Sequence, residues 1–389
     1  MVPSYSWKAI CGWSNYSGRV TSRKMSENEM GNRGSKSDFI SNLRAVKEQR
    51  VDGSWYIKPM YLRCTLMGFK RNYPIKIPSK QLNNKFSTLK PLNINKLNPW
   101  FVTGITDAEG MFTIMVDKNN KRTLGWRVQS KFQIGLHVRD FNLLLQLQEF
   151  FKGIGSIGKS ENMAYYSVSS VEDLTKVIIP HFQKYFLLTK KKADFMLFKK
   201  VVELINSKKH LSIEGLQQII NIKASMNSGL SDIHKSEFNN INKVIRPIID
   251  TKNIPSPYWI TGFVNGEGTF DVKIYSSKNK IGYSVQMRFR VPQHERDTKL
   301  IELIMKYFGY GVIEKHSKYP AVSLVIVKFS VITDKIIPFF ELYPLTGQKK
   351  KDYLDWCKIS KLIYKGSHLT MEGLNIIREI KEGMNKKRK

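Results

Sequence analysis

The sequence predicts an α+β fold: two tandem αββαββα repeats arranged as a saddle about a pseudo-two-fold axis, each with an open antiparallel sheet. Three observations predict it. NPWFVTGITDAEGMFTI from Asn98 and SPYWITGFVNGEGTFDV from Ser256 match at an offset of 158 residues. The same register recurs at Ile179-Pro180 and Ile337-Pro338, at Lys191-Lys192 and Lys349-Lys350, and at HLSIEGL from His210 and HLTMEGL from His368. A period that long exceeds any solenoid unit, so each copy is a domain. Within each copy the apolar period switches from helical to strand-like and back. Finally, 389 residues are more than one core usually holds.

Taken in chain order, residues 1–97 carry 18 basic and 5 acidic side chains with no sustained apolar period, and read as a basic, mostly extended or disordered leader. The first repeat spans 98–228, a linker 229–257, and the second repeat 258–389. Asn239-Asn240 and three prolines, Pro247, Pro255 and Pro257, mark the linker. Each repeat opens with a helix, Pro99 to Glu109 and Pro257 to Glu267, begun by a proline that presets helical φ and followed by glycine as the C′ residue. Strands follow. Phe112, Ile114 and Val116 share one phase, as do Phe270, Val272 and Ile274. Trp126, Val128, Phe132 and Ile134 alternate with Arg127, Gln129, Lys131 and Gln133, and Tyr283, Val285, Met287, Phe289 and Val291 alternate with Ser284, Gln286, Arg288 and Arg290. Strict period two gives each sheet one packed face and one polar, basic face. FNLLLQLQEFF (141–151) and TKLIELIMKYF (298–308) carry apolar stripes that cover the packed face.

Charge narrows the partner. With 64 Lys+Arg against 32 Asp+Glu the chain carries +32, an excess that attracts a polyanion because each neutralised phosphate releases counterions. Cys11, Cys64 and Cys357 are too dispersed for a disulfide framework or a zinc site. No apolar run approaches the roughly 20 residues of a spanning helix, and the first residues lack a signal-peptide core. An anionic membrane surface would call for amphipathic basic helices, whereas the basic residues here concentrate on strands and leader.

Glu109 and Glu267 close their helices at the negative end of the macrodipole, an unfavourable place for a carboxylate unless a cation joins it. Carboxylates with free helix-end carbonyls make an all-oxygen site suited to Mg²⁺. Gly104 and Ala108, then Gly262 and Gly266, recur four apart and let the two helices approach closely, which brings both acids together. Metal-loaded paired carboxylates on a basic β-surface are the constellation for phosphodiester hydrolysis. Lys328 continues the inward phase Val322, Leu324, Ile326, and is a third catalytic candidate; Ser170 holds the matching place in the first repeat. Arg127, Gln129, Lys131, Gln133, Ser284, Gln286, Arg288 and Arg290, extended by Thr113, Met115, Asp271, Lys273 and Tyr275, have the chemistry to read a DNA major groove. Lys121, Arg122, Lys278 and Lys280 at hairpin tips suit phosphates. GIGSIG (153–158) follows a helix and is no dinucleotide site. Ser212 and Thr370 read as N-caps, with His210 and His368 structural beside them.

VTGITDAEG (102–110) and ITGFVNGEG (260–268), with Trp100, Phe112, Trp259 and Phe270 around them, resemble the two motifs of a double-motif LAGLIDADG homing endonuclease. KKADF, HLSIEGL and LDWCKISKLI resemble its fungal mitochondrial, intron-encoded branch. The resemblance implies a monomeric DNA endonuclease with Glu109 and Glu267 as metal ligands, joined by the carbonyls of Ala108 and Gly266, using Mg²⁺ with Mn²⁺ as substitute. It implies a long asymmetric double-stranded target cut with 3′ overhangs to start intron homing, and an organelle-encoded mitochondrial protein. Asn265 departs from the pattern, where Asp107 keeps the acid. An intron RNA maturase and a cleavage-dead DNA-binding regulator are the alternative readings.

Overall fold

A computed structural model describes residues 96–385, together with a two-rung antiparallel ladder between Thr65–Leu66 and Phe69–Lys70. The leader expected over 1–97 lies almost wholly outside the described residues, as do Cys11, Cys64 and the Lys386–Lys389 tail. Both repeats fall within one compact unit.

The first repeat begins with α1 (Pro99–Glu109), where the Asn98 side chain accepts the Trp100 amide at 2.9 Å. Its strands β1 (Gly110–Lys118) and β2 (Trp126–His137) form a hairpin. Then come α2 (Phe141–Phe150), β3 (Ser156–Lys159), β4 (Met163–Val168) and α3 (Ile179–Lys184). Two further helices, α4 (Lys191–Asn206) and α5 (Ile213–Lys223), close the repeat, so the expected single last helix is extended into three. A short α6 (Asp232–Glu237) lies in the linker. The second repeat follows the same plan: α7 (Pro257–Glu267), β5 (Thr269–Ser276), β6 (Tyr283–His294), α8 (Thr298–Phe308), β7 (Val312–Lys315), β8 (Ala321–Ile326), α9 (Ile337–Leu342), α10 (Gly347–Tyr364) and α11 (Met371–Glu382). Each four-stranded antiparallel sheet has the equivalent order, β1-β2-β4-β3 and β5-β6-β8-β7.

Several recurrences in the sequence have local physical causes. Gly110 and Gly268, expected as C′ residues, follow their helices in extended backbone (φ −81° and −64°) rather than in the left-handed conformation common at that position. Each is glycine because the strand leaves the helix at once: a Cβ would lie 2.7 Å from the carbonyl oxygen of Thr106 or Val264. Pro180 and Pro338 follow π-turns, Leu174–Ile178 and Ile332–Ile336. A proline cannot donate to the preceding turn and crowds its carbonyl, and the wider turn relieves that crowding. Asn227 and Asn385 adopt positive φ (44° and 56°) and tie the repeat's end to its beginning, donating Nδ2 to Phe112 O at 2.9 Å and to Phe270 O at 3.0 Å.

The packed sheet faces hold the predicted apolar phases. Phe112 and Phe132 stack with centroids 5.2 Å apart, and Phe270 and Phe289 pair at 5.5 Å. Leu143, Leu144 and Leu147 of α2 and Leu300, Ile301 and Ile304 of α8 are buried over those faces. At roughly 25 cal/mol per Å² of apolar area, this helix-on-sheet burial is the main stabilising contribution in each repeat. Repeat joins repeat through α1 and α7. A Cβ on Gly104 would overlap the Trp259 carbonyl oxygen, and one on Gly262 would overlap that of Phe101, so the two helices touch backbone to backbone.

The linker is fastened to the first repeat. Arg246 makes a two-pronged ion pair with Asp194 at 2.7 and 2.8 Å and also donates to Ser225 O. Ser225 Oγ donates to Val244 O, Gln217 Nε2 to Asn240 O and Thr251 Oγ1 to Leu188 O.

Candidate active site

The close helix crossing decides where the motif acids go. A Cβ on Gly266 would lie 2.5 Å from Ala108 Cβ and 3.0 Å from Glu109 Cγ, so Glu109 packs on the residue that precedes Glu267. Both acids are half-buried at adjacent helix C-termini. Two lysines complete the cluster. Lys191 Nζ donates to the carbonyls of Thr106, Asp107 and Ala108 at 3.0, 2.9 and 3.3 Å, which neutralises the negative end of α1. Lys349, its counterpart in the second repeat, donates to Gly268 O. Burial pushes both ammonium groups below their ordinary pKa. Asp107 at Lys191 and Asp352 at Lys349 pull each most strongly back towards the charged form, with Glu109 and Glu267 adding to both. The site is thus two carboxylates faced by two desolvated lysines.

The sequence already displayed Lys191 and Lys349 as a recurrence at the common offset, but gave them no role. Each lies 82 residues beyond its motif acid, and only the fold brings the two together. Lys328 was expected to continue the inward phase of its strand. Instead β8 ends at Ile326, and Lys328 is exposed as the residue preceding the next helix, with Nζ 5.7 Å from the Tyr310 ring. The chain turns before the alternation reaches it. Ser170 holds the same place in the first repeat and caps its helix by accepting the Asp173 amide.

The donor set fits a hard divalent cation. Glu109 and Glu267, with the carbonyls of Ala108 and Gly266, offer oxygen only. The ammonium of Lys191 on three carbonyls shows that this helix end accepts positive charge. Among the described residues no three His, Cys, Asp or Glu side chains gather as a metal cage.

Asp107 and Asn265 explain the difference between the two motifs. Asp107 is buried and accepts four hydrogen bonds, from the amides of Leu188 and Thr189, Thr189 Oγ1 and, across the repeat interface, Trp259 Nε1 at 2.8 Å. Asn265 accepts only the Thr346 amide at 2.9 Å and Thr346 Oγ1 at 3.3 Å, both through Oδ1. An amide oxygen suffices for two donors on one atom. Four donors spread over both oxygens require a carboxylate. Burial raises the Asp107 pKa and these hydrogen bonds oppose the rise.

The polar sheet faces hold the proposed DNA readers in directly opposed pairs. In the first repeat these are Thr113 with Lys131, Met115 with Gln129 and Asp117 with Arg127, with Gln133 opposite Met111 next to the motif. The second repeat sets Thr269 opposite Arg290, Asp271 opposite Arg288, Lys273 opposite Gln286 and Tyr275 opposite Ser284. Rung for rung the two faces occupy the same places with different chemistry. The hairpin-tip residues Lys121, Arg122, Lys278 and Lys280 are exposed.

Comparison with known proteins agrees with this geometry. The family model for LAGLIDADG endonucleases matches residues 102–202 and again 260–360. The chain is 54% identical to "Probable intron-encoded endonuclease 3" of Neurospora crassa, over 97% of this chain and 74% of that protein. It is 36% identical, over 44% of this chain and 42% of the relative, to an uncharacterised protein in ND4 intron 1 of Podospora anserina. Among solved structures it resembles the LAGLIDADG homing endonuclease I-SmaMI bound to cleaved DNA, with a TM-score of 0.75 and 46% identity, covering 76% of this chain and 99% of that one. The same enzyme bound to uncleaved DNA with calcium ions superposes with a TM-score of 0.74 at 46% identity, covering 75% of this chain and 100% of that one. Two motif helices crossing backbone to backbone at their glycines, two matching sheets and a family match in each repeat place the chain in the LAGLIDADG endonuclease family.

Proposed function

We propose that the protein is a site-specific endonuclease that hydrolyses one phosphodiester on each strand of a long, asymmetric DNA duplex. The observation that carries this reading is the convergence of Glu109 and Glu267, at the crossing of α1 and α7, with the half-buried Lys191 and Lys349. Mg²⁺, with Mn²⁺ as a substitute, is the cation whose coordination chemistry suits the donor set, and when bound it supplies Lewis acidity and an acidified water. Each polar sheet face lies in the major groove of one half-site, and the different rungs of the two faces favour a target that is not a palindrome. Glu109 and Glu267 would hold the cation at the centre, between the two reacting phosphates. Lys191 and Lys349 supply positive charge where the attacked phosphate gains negative charge. Water adds to phosphorus as the P–O3′ bond breaks, and the departing oxygen takes up a proton.

One chain provides both acids, which supports action as a monomer. The intron-encoded relatives support a mitochondrial setting and a role in intron homing. The decisive experiment incubates the protein with a randomised duplex library in Mg²⁺ or EDTA and sequences the ends, with Glu109→Gln and Glu267→Gln alongside. Discrete metal-dependent breaks at one long sequence, absent in both variants, are expected. Specific binding with no cutting in any divalent metal would overturn the catalytic reading.

A further inference from the structure

Asp271 and Arg288 sit directly opposite each other on the polar face of the second sheet. Arg288 donates Nε to Asp271 Oδ2 at 3.1 Å and Nη2 to the same oxygen. The pair is partly shielded, with 27% of the arginine and 23% of the aspartate side chain exposed. A guanidinium carries five N–H groups in a rigid plane. Once Nε and Nη2 are turned to Asp271, the edge formed by Nη1 and Nη2 is left turned away from the carboxylate. Two N–H groups on one edge suit the O6 and N7 acceptors of a guanine. On the corresponding rung of the first repeat, Thr113 faces Lys131. Among the described residues the Thr113 hydroxyl is buried without a partner, and no carboxylate pairs with Lys131.

We propose that Asp271 is a specificity-determining positioning residue: it does not read DNA itself but locks Arg288 for bidentate recognition of one guanine in the half-site under the second repeat. An arginine held before binding loses less side-chain entropy on docking and cannot swing to a neighbouring base or phosphate. A carboxylate alone would repel the DNA, and its pairing with Arg288 removes that penalty. At the equivalent position of the other half-site, the flexible single ammonium of Lys131 discriminates weakly. The rung therefore reads strictly on one side of the target and loosely on the other.

The inference rests on the DNA-cleaving reading above, and its test separates the two. Relative cleavage rates and binding in Ca²⁺ are measured on all single-base variants of the selected target, for the unaltered protein, Asp271→Asn, Arg288→Lys and Lys131→Ala. In the unaltered protein, replacing one guanine under the second repeat should reduce binding and cleavage about 10- to 100-fold. In Asp271→Asn that discrimination should shrink to a few-fold, and Arg288→Lys should erase preference at the same base; Lys131→Ala should lower affinity for the target while leaving that guanine as strictly read as before. The proposal fails if Asp271→Asn leaves every base preference intact, or if the base that responds to Arg288→Lys is not guanine. A protein that neither binds nor cuts any DNA sequence selectively would overturn the functional reading itself, and this inference with it.

Discussion

Asp140 and Asp297 make the same contact in opposite directions across the repeat boundary. Asp140, in the first repeat, accepts the amide of Gln348 at the start of α10 at 2.7 Å, and Asp297, in the second, accepts the amide of Lys190 just before α4 at 2.8 Å. Each repeat thus caps a helix of the other, and each capped helix begins beside one of the half-buried lysines. Asp140→Ala and Asp297→Ala should each cost about 1–2 kcal/mol, the usual value of a lost cap. The two losses should add, because the contacts share no partner. Urea denaturation of the single and double variants checks both statements.

The backbone contact of the motif helices predicts a steeper penalty. Gly104→Ala or Gly262→Ala places a methyl where a carbonyl oxygen already lies, and backbone cannot move aside as a side chain can. Each should destabilise by about 3 kcal/mol or more and misplace Glu109 and Glu267 together. Thermal unfolding and cleavage rate should therefore fall in step.

Asp107 and Asn265 should respond oppositely to exchange. Asp107→Asn turns an amide donor towards groups that already donate, leaving buried donors facing one another, and should cost about 2–4 kcal/mol. Asn265→Asp keeps the oxygen that accepts from Thr346 and should change stability by less than about 1 kcal/mol. Melting temperatures of the two variants, measured together, distinguish this account from a shared catalytic role, in which both would alter cleavage alone.

How much of this was legible beforehand follows from sequence distance. The motif helices, the hairpin phases and the covering helices are set by neighbours a few residues apart, so periodicity and capping residues disclosed them. Glu109 and Glu267 were legible because glycine spacing brings their own helices together. Lys191 and Lys349 were visible as a recurrence but meaningless without the fold that carries them back to α1 and α7. The inward phase expected for Lys328 does not hold because the alternation ends at Ile326, where the backbone changes direction. The pairing of Asp271 with Arg288 depends on hairpin register, which the alternation alone leaves open.

His181 predicts acid sensitivity. It is buried against Phe150, Phe151 and Phe182, and burial pushes its pKa down to about 3. In the unfolded chain it takes up a proton near pH 6.5, whereas the folded protein refuses one until about 3. Its contribution to stability is therefore complete above 6.5 and is lost as pH falls through that window, by at most about 1.4 kcal/mol per unit. Urea midpoints from pH 7 to 4 should fall less steeply in His181→Gln. Identical slopes would remove His181 as the cause.

The anchoring of the linker has a consequence for building hybrids. Residues 229–257 look from composition like a tether that could be exchanged freely, yet Arg246 neutralises Asp194 and Thr251 holds Leu188, both in the first repeat. A chimaera joined at 229 would strip the first repeat of the counter-ion to a buried acid. One joined between Thr251 and Ser256 would transplant a whole half together with its own fastening, and would need from its new partner the glycines of the helix crossing, an aspartate to receive each helix start and the tryptophan that donates to Asp107.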